Sequence, residues 1–159
     1  KKLNLKLILL ECFALIFMFS GLKRLFVAYN ADLIQALIKE DFDKFETLTD
    51  ISASQFILDQ VYWNTFSLIF SLLLIIGINW RNKLGILNSV ILIIVALGIL
   101  YSGLLTSGVI NSLFNSFCKL FGSGFGLSYF IGGSILILIG VLILWQTIKN
   151  KRVGLKTNL

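Results

Sequence analysis

The chain alternates four long apolar stretches with shorter polar segments. The stretches cover residues 7–29, 56–78, 84–106 and 127–146. About 20 consecutive apolar residues are what an α-helix needs to cross the hydrocarbon core of a bilayer. We therefore predict an all-α membrane protein in which residues 1–159 form a single four-transmembrane-helix bundle. The first stretch also resembles a signal peptide, but no small-x-small cleavage site follows it, so we interpret it as a span.

Two of the polar segments repeat apolar residues at helical spacing. In residues 33–48 the apolar positions fall on one face, and Asp32 is placed to cap the helix. In residues 110–121, three Phe residues line one face together with Ile110 and Leu113, while Asn, Ser and Lys119 line the other. We predict two short amphipathic helices lying at the membrane surface in the outer loops. For residues 33–48, a helical loop packed on the bundle is an equal alternative.

Two short motifs set the ends of the predicted spans. Ser52 and Gln55 have capping-box spacing just before the second span. The turn at residues 80–83 is very short. The second and third helices are therefore expected to be antiparallel neighbours.

The cations predict the orientation of the bundle. The N-terminal lead, the 80–83 turn and the C-terminal tail carry nine Lys and Arg residues and no acid, whereas the other two loops and the span ends beside them mix five cations with seven acids. Because cytoplasmic loops carry the excess of Lys and Arg, both ends of the chain are expected in the cytoplasm. The bias toward Ile, Leu, Lys, Asn and Phe is typical of AT-rich genomes, and we expect a bacterial cytoplasmic membrane.

Composition supports a membrane location. The chain is 57% hydrophobic and 14% charged, more apolar than a soluble domain of this size can bury. The formal net charge of +6 does not indicate nucleic-acid binding, because the cations sit at the ends of apolar runs. The sequence has no Pro and no His, so we expect fairly straight helices and no His-based site.

Glu11 is the one ionisable residue well inside a predicted span. Such residues are candidates for function by default. Its carboxylate could instead reach the interface or pair with a cation of the turn, such as Arg81 or Lys83. The functional alternative is a protonatable or substrate-contacting group facing the bundle.

A second group of polar residues is expected where the first span ends and the second begins. Lys23 and Arg24 close one helix, and Asp59 opens the next. Asn64 lies one turn further along. A charge pair there could fix how the two helices dock, or the group could bind a ligand or a quinone headgroup.

Small residues mark places where helix backbones could approach closely. Gly85 and Ser89 share a face of the third span, as do Gly98 and Ser102; in the fourth span the small residues are Gly132, Gly133 and Gly140. Most are expected to pack within the bundle, and a few to serve partner subunits. The two cysteines, Cys12 and Cys118, are expected near opposite membrane faces and therefore unpaired.

No pattern of catalytic residues is recognisable. There is no Ser-His pair, no CxxC motif and no pair of aspartates inside a span, and the Gly122–Gly126 stretch lacks the Lys-Ser/Thr of a phosphate loop. We expect a non-enzymatic protein without a cofactor or metal.

The segment FMFSGLKRLF, residues 17–26, resembles the first-helix motif of the DoxX/MauE-like four-helix membrane proteins. Ser20, Gly21, Lys23 and Leu25 fill the motif positions. The resemblance implies a four-helix bundle, sometimes associated with redox or thiol-related membrane complexes. The second helix departs from the family, since Asn64-Thr-Phe-Ser-Leu68 stands where a Glu-x-x-x-Gly pattern would be expected.

Three functions are compatible with these patterns. The first is a small subunit or accessory factor of a larger membrane complex, which predicts lipid-accessible faces of small residues. The second is a small transporter or channel working as a homo-oligomer. The third is a DoxX-like redox-associated accessory protein. The first is favoured, since no buried polar pathway is evident in the sequence.

Overall fold

A computed structural model of the chain describes residues 5–81, 86–102 and 108–156. Within these ranges the chain is entirely helical and contains no strand. The helices are α1 (Leu5–Tyr29), α2 (Ala31–Ile38), α3 (Phe42–Leu48), α4 (Ala53–Arg81), α5 (Ile86–Ser102), α6 (Val109–Lys119) and α7 (Leu127–Lys156).

Three helices are long and apolar enough to cross a membrane: α1, α4 and the Leu127–Lys149 part of α7. They indicate an integral membrane protein. The predicted third span, 84–106, corresponds to α5, which is 17 residues long; residues 84–85 and 103–106 lie outside the described residues. The structure therefore confirms three of the four predicted spans by length and composition.

The long helices place α2, α3 and α6 at one end of the molecule, which we call the loop end. The other end, where α1 begins and α4 and α7 finish, is called the tail end. α1 lies in the centre and packs most extensively on α7, and less extensively on α4 and α5. α4 also packs on α5, as the short 80–83 turn predicted.

Glycines let α1 and α7 cross closely. A Cβ atom added at Gly21 would lie 2.6 Å from the Gly133 carbonyl oxygen, and one at Gly140 would lie 3.1 Å from the Ala14 carbonyl oxygen. A side chain at Gly21 would force the backbone of α7 to move, and one at Gly140 would crowd the backbone of α1, so the glycines permit this close contact. The prediction that most small residues pack within the bundle is confirmed for α7.

The other face of α1 packs on α4 and α5 through an apolar core. Leu15 and Phe19 of α1 meet Leu68 and Ile75 of α4, and Leu92 of α5 joins the same cluster. The α4 helix is nevertheless the least covered of the long helices. In its most apolar window 22% of the residues are buried, against 50% in α1.

The segment predicted as one helix over 33–48 forms two helices instead. α2 ends at Ile38, and Glu40 adopts a left-handed backbone conformation with φ of 56°. The Asp41 carboxylate then accepts a hydrogen bond of 3.1 Å from the Lys44 backbone N–H and caps α3. The predicted cap Asp32 lies in the first turn of α2, after the N-cap residue Asn30.

The predicted capping box at Ser52 and Gln55 is confirmed in part, since the Gln55 side chain donates to Asp59 and not back to the Ser52 backbone, and the amphipathic helix over 110–121 is confirmed. The Ser52 hydroxyl oxygen accepts a hydrogen bond of 3.2 Å from the Gln55 backbone N–H at the start of α4. The amphipathic segment predicted over 110–121 forms α6, with bounds within two residues of those expected.

Candidate functional site

Arg24 is fully buried near the loop end of α1, where 1% of its surface is exposed. Its Nη1 donates a hydrogen bond of 3.0 Å to the Ser20 carbonyl oxygen of its own helix. Its Nη2 donates to three oxygens of α6: the Asn111 carbonyl and Oδ1 at 3.0 Å each, and Asn115 Oδ1 at 2.9 Å. The guanidinium therefore ties α1 to α6.

The aromatic neighbour of Arg24 is also uncharged. The guanidinium carbon lies 5.3 Å from the centre of the Phe114 ring, within the range of a cation–π contact. Nε is buried without a partner among the described residues. Amide oxygens and a ring thus compensate the charge, with no carboxylate among the described contacts of Arg24.

Lys23 lies beside Arg24 and is also buried. Its Nζ donates to Asn111 Oδ1 at 3.4 Å, so one amide oxygen serves both cations. The predicted polar face of α6 is therefore not simply turned to solvent. Ser112, Ser116 and Lys119 are exposed, whereas Asn111 and Asn115 are drawn to the cations.

Arg24 does not pair with Asp59, contrary to the predicted docking of the first two spans. Asp59 is half-buried on α4 and accepts a hydrogen bond of 3.0 Å from Gln55 Nε2 of the same helix. Arg24 turns instead to α6, where two side-chain amide oxygens and one backbone carbonyl accept its hydrogen bonds. Asn64 is half-buried, and its Oδ1 has no partner among the described residues.

Cys118 is buried on α6, beside Arg24 and against α7. A Cβ added at Gly132 would lie 2.5 Å from its Sγ atom, so this glycine makes room for the thiol. Burial raises the pKa of the Cys118 thiol, although the neighbouring Arg24 charge acts in the opposite direction. Cys12 and Cys118 are both free thiols, as predicted.

Glu11 faces the bundle and not the membrane interface, with 0% of its surface exposed. The Asn79 side chain of α4 approaches the carboxylate, but the approach falls short of hydrogen-bond geometry. Neither Glu11 oxygen, nor Asn79 Nδ2, has a hydrogen-bond partner among the described residues. Arg81 is exposed and supplies no such partner, and Lys83 lies outside the described residues.

Each long helix carries a buried polar residue near the tail end. Besides Glu11 these are Asn79 of α4, Asn88 of α5 and Thr147 of α7. Each lies about one helical turn beyond an apolar residue of the central core, respectively Leu15, Ile75, Leu92 and Leu144. All four residues therefore lie toward the tail end, and Asn79 is the residue whose side chain approaches Glu11.

Two separate apolar pockets lie among the long helices. The loop-end pocket measures about 830 Å³ and is lined by Leu22, Leu25 and Phe26 of α1 with Trp63 and Phe130 among others. The tail-end pocket measures about 390 Å³ and lies between α4, at Leu74 and Ile78, and α7, at Val141 to Lys149. Both volumes fall within the range of small-molecule sites, although the lining is almost entirely apolar.

Sequence reasoning did not single out Asn79, Asn111 and Asn115 as partners of charged groups. Asn79 follows Leu68, Ser71 and Ile75 at helical spacing on the buried face of α4, which could have marked it as buried. Asn111 and Asn115 were recognised as polar but assigned to the exposed face of their helix. Whether Asn111 and Asn115 contact a buried cation depends on how α6 docks on α1, and these helices are far apart in the sequence.

Among the described residues, no group of three or more His, Cys, Asp or Glu side chains could hold a metal ion. Segment 17–26, which carries the resemblance to the DoxX/MauE-like proteins, lies where α7 crosses α1 and α6 docks. Comparison of the chain with models of protein families, with curated protein sequences and with solved structures gave no match.

Proposed function

We propose that this chain is a small, non-enzymatic integral membrane protein that acts as a subunit or accessory factor of a larger membrane complex. The observation that carries the proposal is the position of two glycines on helix faces turned away from α1. Gly77 of α4 and Gly98 of α5 are exposed, and a Cβ atom added at either would meet nothing within 4 Å. A second helix backbone can approach closely at such positions.

The direction of these glycines follows from helical geometry. Gly77 lies two residues from both Ile75 and Asn79, which are buried on the inner face of α4. Gly98 lies two residues from Ala96, which is buried in the core. Two residues correspond to about 200° of rotation in an α-helix, so both glycines point outward.

The proposal includes four spans, with α5 and its flanking residues as the third. The nine-cation tail end is placed in the cytoplasm of a bacterial cell, and the loop end outside it. Single cysteines introduced into a variant lacking Cys12 and Cys118 test this. A cysteine at position 156 should resist an impermeant maleimide in intact cells, whereas one at the exposed Ser123 should react.

The central experiment is purification from the native membrane in a mild detergent, followed by mass spectrometry. Other membrane proteins should co-purify in a fixed ratio to this chain. Recovery of the chain alone, as a stable homo-oligomer, would contradict the subunit proposal.

Substitution of leucine for Gly77 or Gly98 tests whether these glycines form the contact with a partner helix. Gly77→Leu and Gly98→Leu should each reduce co-purification at least several-fold without reducing the amount of folded chain, because nothing within the molecule occupies the space. Gly124→Leu is the matched control: it also has open space but lies outside the long helices. Equal effects of all three substitutions would argue against a helix contact.

A small transporter or channel working as a homo-oligomer is the second candidate. It is favoured by Glu11, whose buried carboxylate has no hydrogen-bond partner among the described residues. The purified chain in liposomes should then carry an ion flux that Glu11→Gln abolishes. Absence of flux in the wild type, at a protein density that gives homo-oligomers, would remove this candidate.

A further inference from the structure

Unpartnered polar atoms are concentrated at Glu11 and Asn79 near the tail end. These two residues supply three of the six buried side-chain N and O atoms that have no hydrogen-bond partner in the described part of the chain; the other three, on Arg24, Asn64 and Ser67, are one to a residue. The buried hydroxyls of Ser71 and Thr147 donate to carbonyl oxygens of their own helices, at 2.8 Å and 2.6 Å. Glu11 and Asn79 face each other with both carboxylate oxygens and the amide nitrogen unpartnered among the described residues. They are 0% and 2% exposed.

Burying the Glu11 carboxylate and the Asn79 amide without hydrogen-bond partners lowers the stability of the fold unless a ligand binds to them. Leaving one buried polar group unsatisfied costs about 1–3 kcal/mol, and more for a charged group. An apolar pair at positions 11 and 79 would avoid that cost and would continue the core formed by Leu15 and Ile75. The carboxylate and the amide are therefore better suited to holding a ligand than to packing.

We propose that Glu11 and Asn79 form a binding site for a small monovalent cation, either a proton or a sodium ion. A carboxylate supplies the negative charge, and the Asn79 amide supplies a neutral oxygen. Rotation of that amide by half a turn exchanges its oxygen and nitrogen. It can therefore turn its oxygen to the bound cation or donate its N–H to the bare carboxylate.

The neighbouring helices explain why the ligand is small. Asn88 of α5 and Thr147 of α7, which also lie toward the tail end, are buried as well. The described residues cover Glu11 completely, with 0% of its surface exposed, so they leave no room beside it for an organic cation or for the side chain of a partner. A proton or a single desolvated ion is what such a site can admit.

The ionisable groups around the site do not neutralise the Glu11 carboxylate through any described hydrogen bond. Cys12 is adjacent on α1. Arg81 at the end of α4, Lys149 at the end of the α7 span and Lys6 near the start of α1 are exposed. Within the described part of α5 there is no Lys, Arg, Asp or Glu.

Labelling with dicyclohexylcarbodiimide tests the proposal directly on the purified full-length chain. The reagent takes up the proton of a carboxylic acid as the carboxylate oxygen bonds to its central carbon, so a protonated carboxyl in apolar surroundings reacts and an ionised one does not. At neutral pH, Glu11 should be labelled at least about tenfold faster than the half-exposed Asp59, as read by peptide mass spectrometry. Glu11→Gln should remove the label, and Asp59→Asn should leave it.

Two further arms distinguish the cations. If the site takes sodium, NaCl should slow the labelling of Glu11 at fixed pH, whereas the same concentration of choline chloride should not; Asn79→Leu should weaken this protection. If it takes only protons, raising the pH should slow labelling and NaCl should have no effect. Labelling of Glu11 no faster than that of Asp59, with no protection by sodium, would overturn the proposal. Since no partner protein is present, the result does not depend on the subunit proposal.

Discussion

Arg24 and Glu11 are buried ionisable residues of the same helix, and their surroundings are opposite. They are 13 positions apart, or about 20 Å along the axis. The Arg24 guanidinium donates four hydrogen bonds to neutral oxygens of α1 and α6. The Glu11 carboxylate accepts none from the described residues.

The difference separates a structural charge from a candidate functional one. A buried charge surrounded by oriented oxygens is costly to remove, because those oxygens lose their partner. A buried carboxylate without partners contributes little to stability in that form. Substitutions at the two positions are therefore expected to act in different directions, although both residues are equally hidden from solvent.

The largest effect is expected from Arg24→Met. It removes three hydrogen bonds from a charged donor to half-buried oxygens of α6. At about 1 kcal/mol for each bond, it should lower the free energy of unfolding by about 3 kcal/mol. An SDS titration in mixed micelles measures that loss. Hydrogen–deuterium exchange should show faster exchange in α6 and little change in α4.

Arg24→Lys is the control for charge. A lysine keeps the cation but lacks the planar fork that reaches several oxygens at once, so it should recover less than half of the lost stability. Full recovery would mean that charge alone, and not the hydrogen-bond geometry, holds α6 on the bundle.

The next largest effect is expected from Gly21→Ala at the α1–α7 crossing. The added Cβ would lie 2.6 Å from the Gly133 carbonyl oxygen, so the helices must separate, at a cost of about 2 kcal/mol. Gly77→Ala is the matched control: its Cβ meets nothing within 4 Å, and better helix propensity should raise stability by up to about 1 kcal/mol. The same loss at both positions would contradict the close crossing seen in the structure.

The apolar pattern predicted much of this fold because the length of a membrane-spanning helix depends only on a continuous run of apolar residues in the sequence. Long apolar runs predicted the three long helices, and Ser52 with Gln55 marked the start of α4 correctly. The break at Glu40 was missed. The polar run Lys39-Glu-Asp41 between two apolar faces was its signal, since Asp41 caps the helix that follows.

The pairing of charges could not be predicted in the same way. Lys23, Arg24 and Asp59 were expected to meet because antiparallel neighbours bring such positions to one level. Yet the structure joins Arg24 to Asn111 and Asn115, almost 90 residues away in sequence. Two residues at the same depth along the bundle need not face each other, because depth does not determine which helix packs against a given side of α1. That depends on the docking of α6, which rests on long-range packing around Gly132 and Cys118.

A smaller effect, of opposite sign, is expected from Glu11→Gln. The substitution keeps the shape of the side chain and removes the charge, so the free energy of unfolding should stay the same or rise by up to about 1 kcal/mol. Asp59→Asn at a half-exposed position provides the comparison and should change stability by less than about 0.5 kcal/mol. A loss of 2 kcal/mol or more at Glu11 would show that its carboxylate is a structural partner like Arg24.

The smallest and most specific effect concerns Cys118. Because burial raises the pKa of this thiol, the folded state favours the neutral form, which does not attack maleimides. The stabilisation linked to this shift is present below the ordinary thiol pKa of about 8.5 and is lost as the pH rises through the higher folded value. N-ethylmaleimide should therefore react slowly at neutral pH and faster with rising pH.

Maleimide labelling of Arg24→Met distinguishes two roles of Arg24, attachment of α6 and stabilisation of the Cys118 thiolate, because loss of each role changes the labelling rate in the opposite direction. If Arg24 holds α6 in place through its hydrogen bonds, the variant should expose Cys118 and speed the reaction at pH 7. If Arg24 acts mainly as a nearby charge that favours the thiolate, its loss should slow the reaction while α6 stays docked. Acceleration is the expected result, since Arg24 makes three of the four hydrogen bonds described between α1 and α6, and Lys23 makes the fourth. Slower labelling would instead place the attachment of α6 in its apolar contacts, such as Phe114 on Phe17 and Cys118 on Gly132.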